Sequence, residues 1–166
     1  MTDEIKDGPF ETYHDNGQLE SKGTLRNGVE DGPYEDYYEN GQLRSKGIVT
    51  DGEWDGPVEG YYEDGQLSVK RIYKDGKEDG PSWRYHENGQ VRTKGTFKDG
   101  EIDGLFEEYY DNGQLELKGN VRDGESDGLW EEYSDNGQLR SKGTYKDDEK
   151  CGEWFEDGET VTYDPC

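Results

Sequence analysis

The chain has 166 residues, of which only 27% are apolar, and a formal net charge of −23; so small an apolar fraction argues against a large closed core and the deep pocket most enzymes need. Charge of that sign repels phosphates and so opposes binding to nucleic acid or to an anionic membrane surface. Composition alone would favour disorder, but 13% of the residues are aromatic, they fall at fixed spacing, and they sit between turn residues for which a coil has no use.

Taken in chain order, Met1–Asp7 form a short polar lead-in with neither the basic nor the apolar region of a secretory signal. No apolar run approaches the roughly 20 residues of a membrane span. The expectation is a soluble, cytoplasmic chain. From Gly8 onward the sequence repeats every 24 residues, with units at 8–31, 32–55, 56–79, 80–103, 104–127 and 128–151, and a truncated capping unit at 152–166. Such arrays bury surface mainly between neighbouring units, so few apolar residues suffice.

Each unit carries two turns. The first is Asn-Gly or Asp-Gly followed by Gln and Leu or Val, as in Tyr109-Tyr110-Asp111-Asn112-Gly113-Gln114-Leu115; the second runs from Asn27-Gly28 to Asp147-Asp148. An Asn-Gly or Asp-Gly pair between alternating residues is a strong hairpin signal, because both central positions of a type I′ turn need φ > 0. Two such turns per unit predict twelve strands in an all-β, elongated, single antiparallel sheet of hairpin repeats, on the order of 58 Å long at about 4.8 Å per strand.

Two-residue turns would place Tyr110 opposite Leu115, Glu107 opposite Lys118 and Phe106 opposite Gly119. One face then collects Phe10, Tyr34, Val58, Phe106 and Trp130 with a row of Leu or Val, together with Tyr110 and Val121. The other collects Glu107, Tyr109, Glu116 and Lys118, with Glu11 meeting Lys22, Glu35 meeting Lys46, Glu59 meeting Lys70 and Glu131 meeting Lys142. Gly23, Gly47, Gly95, Gly119 and Gly143 lie opposite bulky residues and leave room for a ring. The third unit breaks this pattern with Arg71, which predicts a local irregularity, and the fourth moves its aromatic one place to give Ser82-Trp83. Pro9, Pro33, Pro57 and Pro81 follow the unit-opening glycines and imply a bulge or break at each junction. Cys151 and Cys166 are too few for a disulfide framework. A bridge tying down the C-terminal end and two inert thiols both remain open, and a reducing compartment favours the thiols.

The unit Lys-Gly-x-x-x-Asp-Gly-x-x-Asp-Gly followed by aromatics and Asn-Gly-Gln-Leu, as in Lys94-Gly95 through Leu115, resembles the MORN-repeat variant family over Gly8 to about Trp154. Arg71, Trp83 and Asp148 depart from the pattern. The resemblance implies a scaffolding or interaction array without catalytic residues or cofactor. Membrane-lipid contact is among the roles proposed for such arrays, and many bacterial members carry an antitoxin label.

Two constellations are candidate sites. Tyr13, Tyr37, Tyr61, Tyr85, Tyr109 and Tyr133 form a row on the charged face, read either as cover for the Glu–Lys ladder or as a recognition stripe for a basic protein partner, since Tyr supplies contact area at low entropy cost. The alternative function is a calcium-binding module. Asp-x-Glu-x-Asp-Gly recurs at Asp51, Glu53, Asp55, at Asp99, Glu101, Asp103 and at Asp123, Glu125, Asp127, resembling the start of a calcium loop. The twelfth position of such a loop is Tyr62, Tyr110 or Ser134 rather than Glu, and turn chemistry accounts for the same acids. His14 and His86 stand where other units carry Tyr38, Tyr62 and Tyr110, and read as aromatic-face residues.

Overall fold

In the computed structural model, residues 7–166 are described, and every regular element among them is a β-strand. The chain divides into two compact units, one ending at Glu78 and the other beginning at Asp79. The first carries β1 (Gly8–Tyr13), β2 (Leu19–Arg26), β3 (Val29–Glu30), β4 (Gly32–Tyr37), β5 (Leu43–Thr50), β6 (Glu53–Trp54), β7 (Gly56–Tyr61), β8 (Leu67–Lys74) and β9 (Lys77–Glu78). The second carries β10 (Gly80–Tyr85), β11 (Val91–Lys98), β12 (Glu101–Ile102), β13 (Gly104–Tyr109), β14 (Leu115–Arg122), β15 (Glu125–Tyr133), β16 (Leu139–Lys146), β17 (Glu149–Glu156) and β18 (Glu159–Thr162). Within each unit successive strands pair antiparallel. The count exceeds the expected twelve because two-residue strands form beside the second turn of the early repeats and the truncated repeat adds strands of its own.

The two turns differ in kind. The second is type I′ as expected: Asn27 and Gly28 have φ of 52° and 75°, and Asp147 and Asp148 reach 49° and 65°. Asp148 tolerates the left-handed region because its carboxylate accepts the Ser126 N–H at 2.6 Å. The first turn is not type I′. Gly113 N donates to Tyr110 O and Tyr110 N to Gln114 O, both at 2.9 Å, and only the glycine takes positive φ, 82°. That is a three-residue loop, a type I turn closed by a left-handed glycine. Asn112 is there for its side chain, whose Oδ1 accepts the Gln114 N–H at 2.9 Å. The longer loop puts Tyr109, not Tyr110, opposite Leu115; a bulge at Glu116 then absorbs the offset, so Glu107 still faces Lys118 and Phe106 still faces Gly119. Two irregularities cancel, and the predicted division of faces survives.

A second bulge marks the junctions within each unit. Arg26 pairs with Val29, but Lys22 pairs with Glu35, an offset of two residues taken up at Asp31 and Gly32. Proline is not the cause. The offset persists between β14 and β15, where Leu129 follows the glycine, and the shared feature is a unit-opening glycine at positive φ, 119° at Gly32 and 109° at Gly128.

The apolar face is thin. Buried residues on it include Val49 and Val58 in the first unit and Val121 and Trp154 in the second, with Trp154 only 1% exposed. Rings pack across repeats, Tyr34 on Trp54 at 5.6 Å and Tyr145 on Trp154 at 4.9 Å. Glycines make the room: a Cβ on Gly119 would lie 2.1 Å from Trp130 Cδ2, and one on Gly143 2.0 Å from Trp154 Cδ2. Arg71, in place of such a glycine, leaves the ladder undisturbed opposite Val58. The expected irregularity is absent there because the guanidinium turns to Glu78 Oε1 at 2.6 Å and donates to the Tyr73 hydroxyl at 3.1 Å. Ser82 is buried opposite Gly95, which leaves Trp83 in a glutamate's place opposite Lys94.

Cys151 and Cys166 form a disulfide with Cα atoms 5.0 Å apart, so the thiol reading is corrected. The C-terminal tail has its own backbone pairing, Gly152 N to Asp164 O at 2.8 Å and Tyr163 N to Gly152 O at 2.9 Å, which carries Cys166 back to Cys151.

Candidate functional site: the tyrosine, glutamate and lysine face

Alternation along the strands puts Pro9, Glu11 and Tyr13 on one face of β1, and their equivalents on the same face of every hairpin. Tyr13, Tyr37 and Tyr61 lie in the first unit; Tyr85, Tyr109 and Tyr133 in the second. The ring hydroxyl donates to the glutamate two residues earlier: Tyr13 to Glu11, Tyr37 to Glu35, Tyr61 to Glu59 at 2.7 Å and Tyr133 to Glu131 at 2.7 Å. Spacing of two on one strand allows this, since both side chains leave the same face.

Two of the predicted ion pairs form, Glu59 with Lys70 and Glu131 with Lys142, and two are redirected, those of Lys22 and Lys46. Lys22 lies opposite Glu11 in the ladder but its ammonium goes to Glu35 of the following repeat at 2.8 Å. Lys94 reaches Glu107 and Lys118 reaches Glu131, both at 2.6 Å. Where a glutamate receives both neighbours, as Glu59 does from Lys46 at 3.0 Å and Lys70 at 3.1 Å, or Glu131 from Lys118 and from Lys142 at 2.8 Å, charge stitches successive hairpins together. The same ammonium groups sit over the next tyrosine, Lys22 5.6 Å from the Tyr37 ring centroid and Lys94 5.4 Å from that of Tyr109.

This environment fixes the ionisation states. The Tyr61 hydroxyl, then Lys46 and Lys70, hold the Glu59 carboxyl down at about 2; Lys118, then Lys142, hold Glu131 at about 2. Burial pushes the Tyr61 and Tyr133 hydroxyls up, and the adjoining carboxylates push them further. Near neutrality Tyr61 and Tyr133 are therefore neutral phenols, Glu59 and Glu131 anionic and Lys46 and Lys118 cationic.

Two features of this face escaped the sequence. Beside the charged lane runs an apolar one, in which Ile48 is 46% exposed, Leu105 51% and Leu129 46%; the proline periodicity was the signal. At the first turns, side chains reach the carbonyl 23 residues on. His14 Nε2 donates to Tyr37 O at 2.8 Å, as Tyr38 Oη does to Tyr61 O at 2.7 Å, His86 Nε2 to Tyr109 O at 2.8 Å and Tyr110 Oη to Tyr133 O at 2.9 Å. Asn16 and Asn112 do likewise to Glu39 and Asp135. Both histidines thus do a tyrosine's work.

The acidic junctions do not converge. Among the described residues no three His, Cys, Asp or Glu side chains gather as metal ligands. Asp51, Asp99 and Asp123 occupy the first positions of type I′ turns. Glu53 is aimed at the Gly76 turn of the following repeat and Glu101 at the Gly124 turn. Asp55 and Asp103 serve the junction bulges through their backbone N–H groups, Glu125 faces Arg122, and Asp127 is taken by Lys146 at 2.6 Å.

No helix among the described residues is long and apolar enough to cross a membrane. No curated protein matches the chain. The family described as MORN repeat variant matches it six times in tandem, at 6–27, 30–49, 54–75, 78–99, 102–123 and 126–147. Such repeats are typically binding or scaffold modules that meet proteins or membrane lipids. With hairpins of one kind in one register and six matches along most of its length, the chain belongs to the MORN repeat variant family.

Proposed function

We propose that this chain is a non-catalytic interaction protein whose tyrosine face takes a basic protein partner, an activity antitoxin-like in kind. The observation that carries it is preorganisation. Each glutamate-bound tyrosine is fixed before any partner arrives, and most of the row is half-buried while Tyr13 is 58% exposed. Aromatic surface held in place costs little entropy to bind. The flanking Ile48, Leu105 and Leu129 add apolar area, and the net charge of −23 favours a cationic partner and speeds its docking.

The test is affinity capture with mass spectrometry, followed by kinetics with the partner so identified. Replacing Tyr61, Tyr85 and Tyr109 with Ser should weaken the complex while leaving the far-ultraviolet spectrum unchanged, and raising salt should slow association. An acidic partner, or a complex indifferent to both changes, refutes the reading.

A further inference from the structure

Within each unit the repeat-to-repeat contacts have a giving half and a receiving half, and among the described residues the first hairpin has only its giving half engaged. In the first unit the giving set is His14 and Asn16, which donate to Tyr37 O and Glu39 O at 2.8 Å, and Lys22, which binds Glu35 at 2.8 Å under the Tyr37 ring. Tyr38, Asn40 and Lys46 repeat it toward Tyr61 O, Glu63 O and Glu59. The second unit repeats it from β11 to β13 and from β14 to β15. At each of these steps the backbone ladder contributes the same two pairs, as in Ser21 with Asp36 and Lys22 with Glu35.

The receiving half of the first hairpin is built and exposed. Its parts are the Glu11 carboxylate, the Tyr13 ring, the Tyr13 and Asp15 carbonyls, and the Glu11–Thr12 backbone. The Tyr13 hydroxyl already donates to Glu11, as Tyr61 does to Glu59. Among the described residues β1 pairs with β2 alone, and Glu11, Thr12 and Tyr13 are all exposed.

We propose that the outer edge of β1 is a docking site for an extended, lysine-bearing segment of another protein, which adds as a strand and seats its lysine between Glu11 and the Tyr13 ring. The occupant's chemistry follows from the internal pairs, since the same receiving atoms are met by a lysine ammonium at each step named above. A second copy of this chain is a poor occupant. At its C-terminal edge Phe155 stands opposite Lys142 where the pattern has glutamate, Lys142 is committed to Glu131, and the disulfide-tied tail covers β17. A basic partner is common to this inference and the proposed function, but the surfaces differ, so either can fail alone.

The test uses the full chain and a fluorescein-labelled synthetic peptide with the sequence of residues 8–26, a complete giving hairpin, read by fluorescence anisotropy. Saturable binding is expected. It should fall on the order of tenfold when Glu11→Lys is introduced in the protein or Lys22→Glu in the peptide, through like-charge contact. Combining the two changes should restore it, which a merely misfolded variant could not do. The Tyr61, Tyr85 and Tyr109 to Ser variant should bind the peptide as the natural sequence does. Absence of saturable binding, indifference to Glu11→Lys, failure of the charge swap, or loss on the triple tyrosine change would each overturn the assignment.

Discussion

Glu131 shows how much one residue carries in a sheet with so little apolar core. Its side chain is 8% exposed, it receives two lysines and a tyrosine hydroxyl, and its carboxyl is held at about 2. An unfolded chain would titrate it near about 4.3. The folded value is the lower one, so its contribution is complete above the unfolded value and vanishes as pH falls toward about 2. Melting temperature should therefore hold steady from neutrality to about pH 5 and fall below it, and Glu131→Gln should lower neutral stability by about 1 kcal/mol while flattening that acid limb. Thermal scans across pH check both. Gly143 is the steric counterpart. Its Cβ would meet the fully buried Trp154 at 2.0 Å, whereas on Gly95 the nearest atom is Phe106 Cδ2 at 3.3 Å. Gly143→Ala should cost about 1–3 kcal/mol by overpacking and Gly95→Ala clearly less, as measured by urea denaturation.

Among the elements, β17 and β18 depend on the bridge between Cys151 and Cys166. The segment between the cysteines, 15 residues apart, closes over Trp154, with Lys150 4.4 Å from that ring and Glu156 bound to Lys150. In the chain-entropy account a loop of that length is worth about 3 kcal/mol. Reduction should speed amide exchange through residues 149–166 while the hairpins of the first unit keep their protection, because each repeat leans mainly on its neighbours. Hydrogen-exchange mass spectrometry with and without reductant reads this directly; uniform loss of protection would mean the bridge supports more than its own element. The first-turn loops show a second element-level rule. Their Asn side chains close the turn through Oδ1 and reach the next repeat through Nδ2. Asn112→Asp keeps the first contact and loses the second, and should cost about 1 kcal/mol.

For the whole molecule, the period is what the fold must conserve. Removing residues 80–103 deletes one full set of turns and bulges and should leave a folded, shorter protein with proportionally reduced ellipticity. Removing twelve residues joins a three-residue loop to a type I′ turn and should abolish cooperative melting. Equal tolerance of both deletions would contradict a repeat array of this period.

The strands, their faces, the positions of the turns and the glycine-for-ring exchange were legible in the sequence, because alternation, φ-permissive residues and side-chain volume act within one hairpin. Phe106 opposite Gly119 and Glu107 opposite Lys118 agree with the count because the longer loop and the bulge at Glu116 cancel. The tyrosine row was legible through the same alternation. Which turn type closes each hairpin was not, since Asn-Gly suits both a type I′ turn and a glycine-closed three-residue loop, and the choice depends on a compensating bulge at Glu116 and on the carbonyl of the next repeat that Asn112 must reach. The partners of Lys22 and Lys46 were equally hidden, whereas Glu59 with Lys70 and Glu131 with Lys142 followed from the ladder. Glu11 and Glu35 are both within a lysine's reach of Lys22, and only the stacking of hairpins decides that the ammonium reaches forward. The disulfide belongs to this second class: its formation depends on the path by which the C-terminal tail returns over Trp154, which no local pattern specifies.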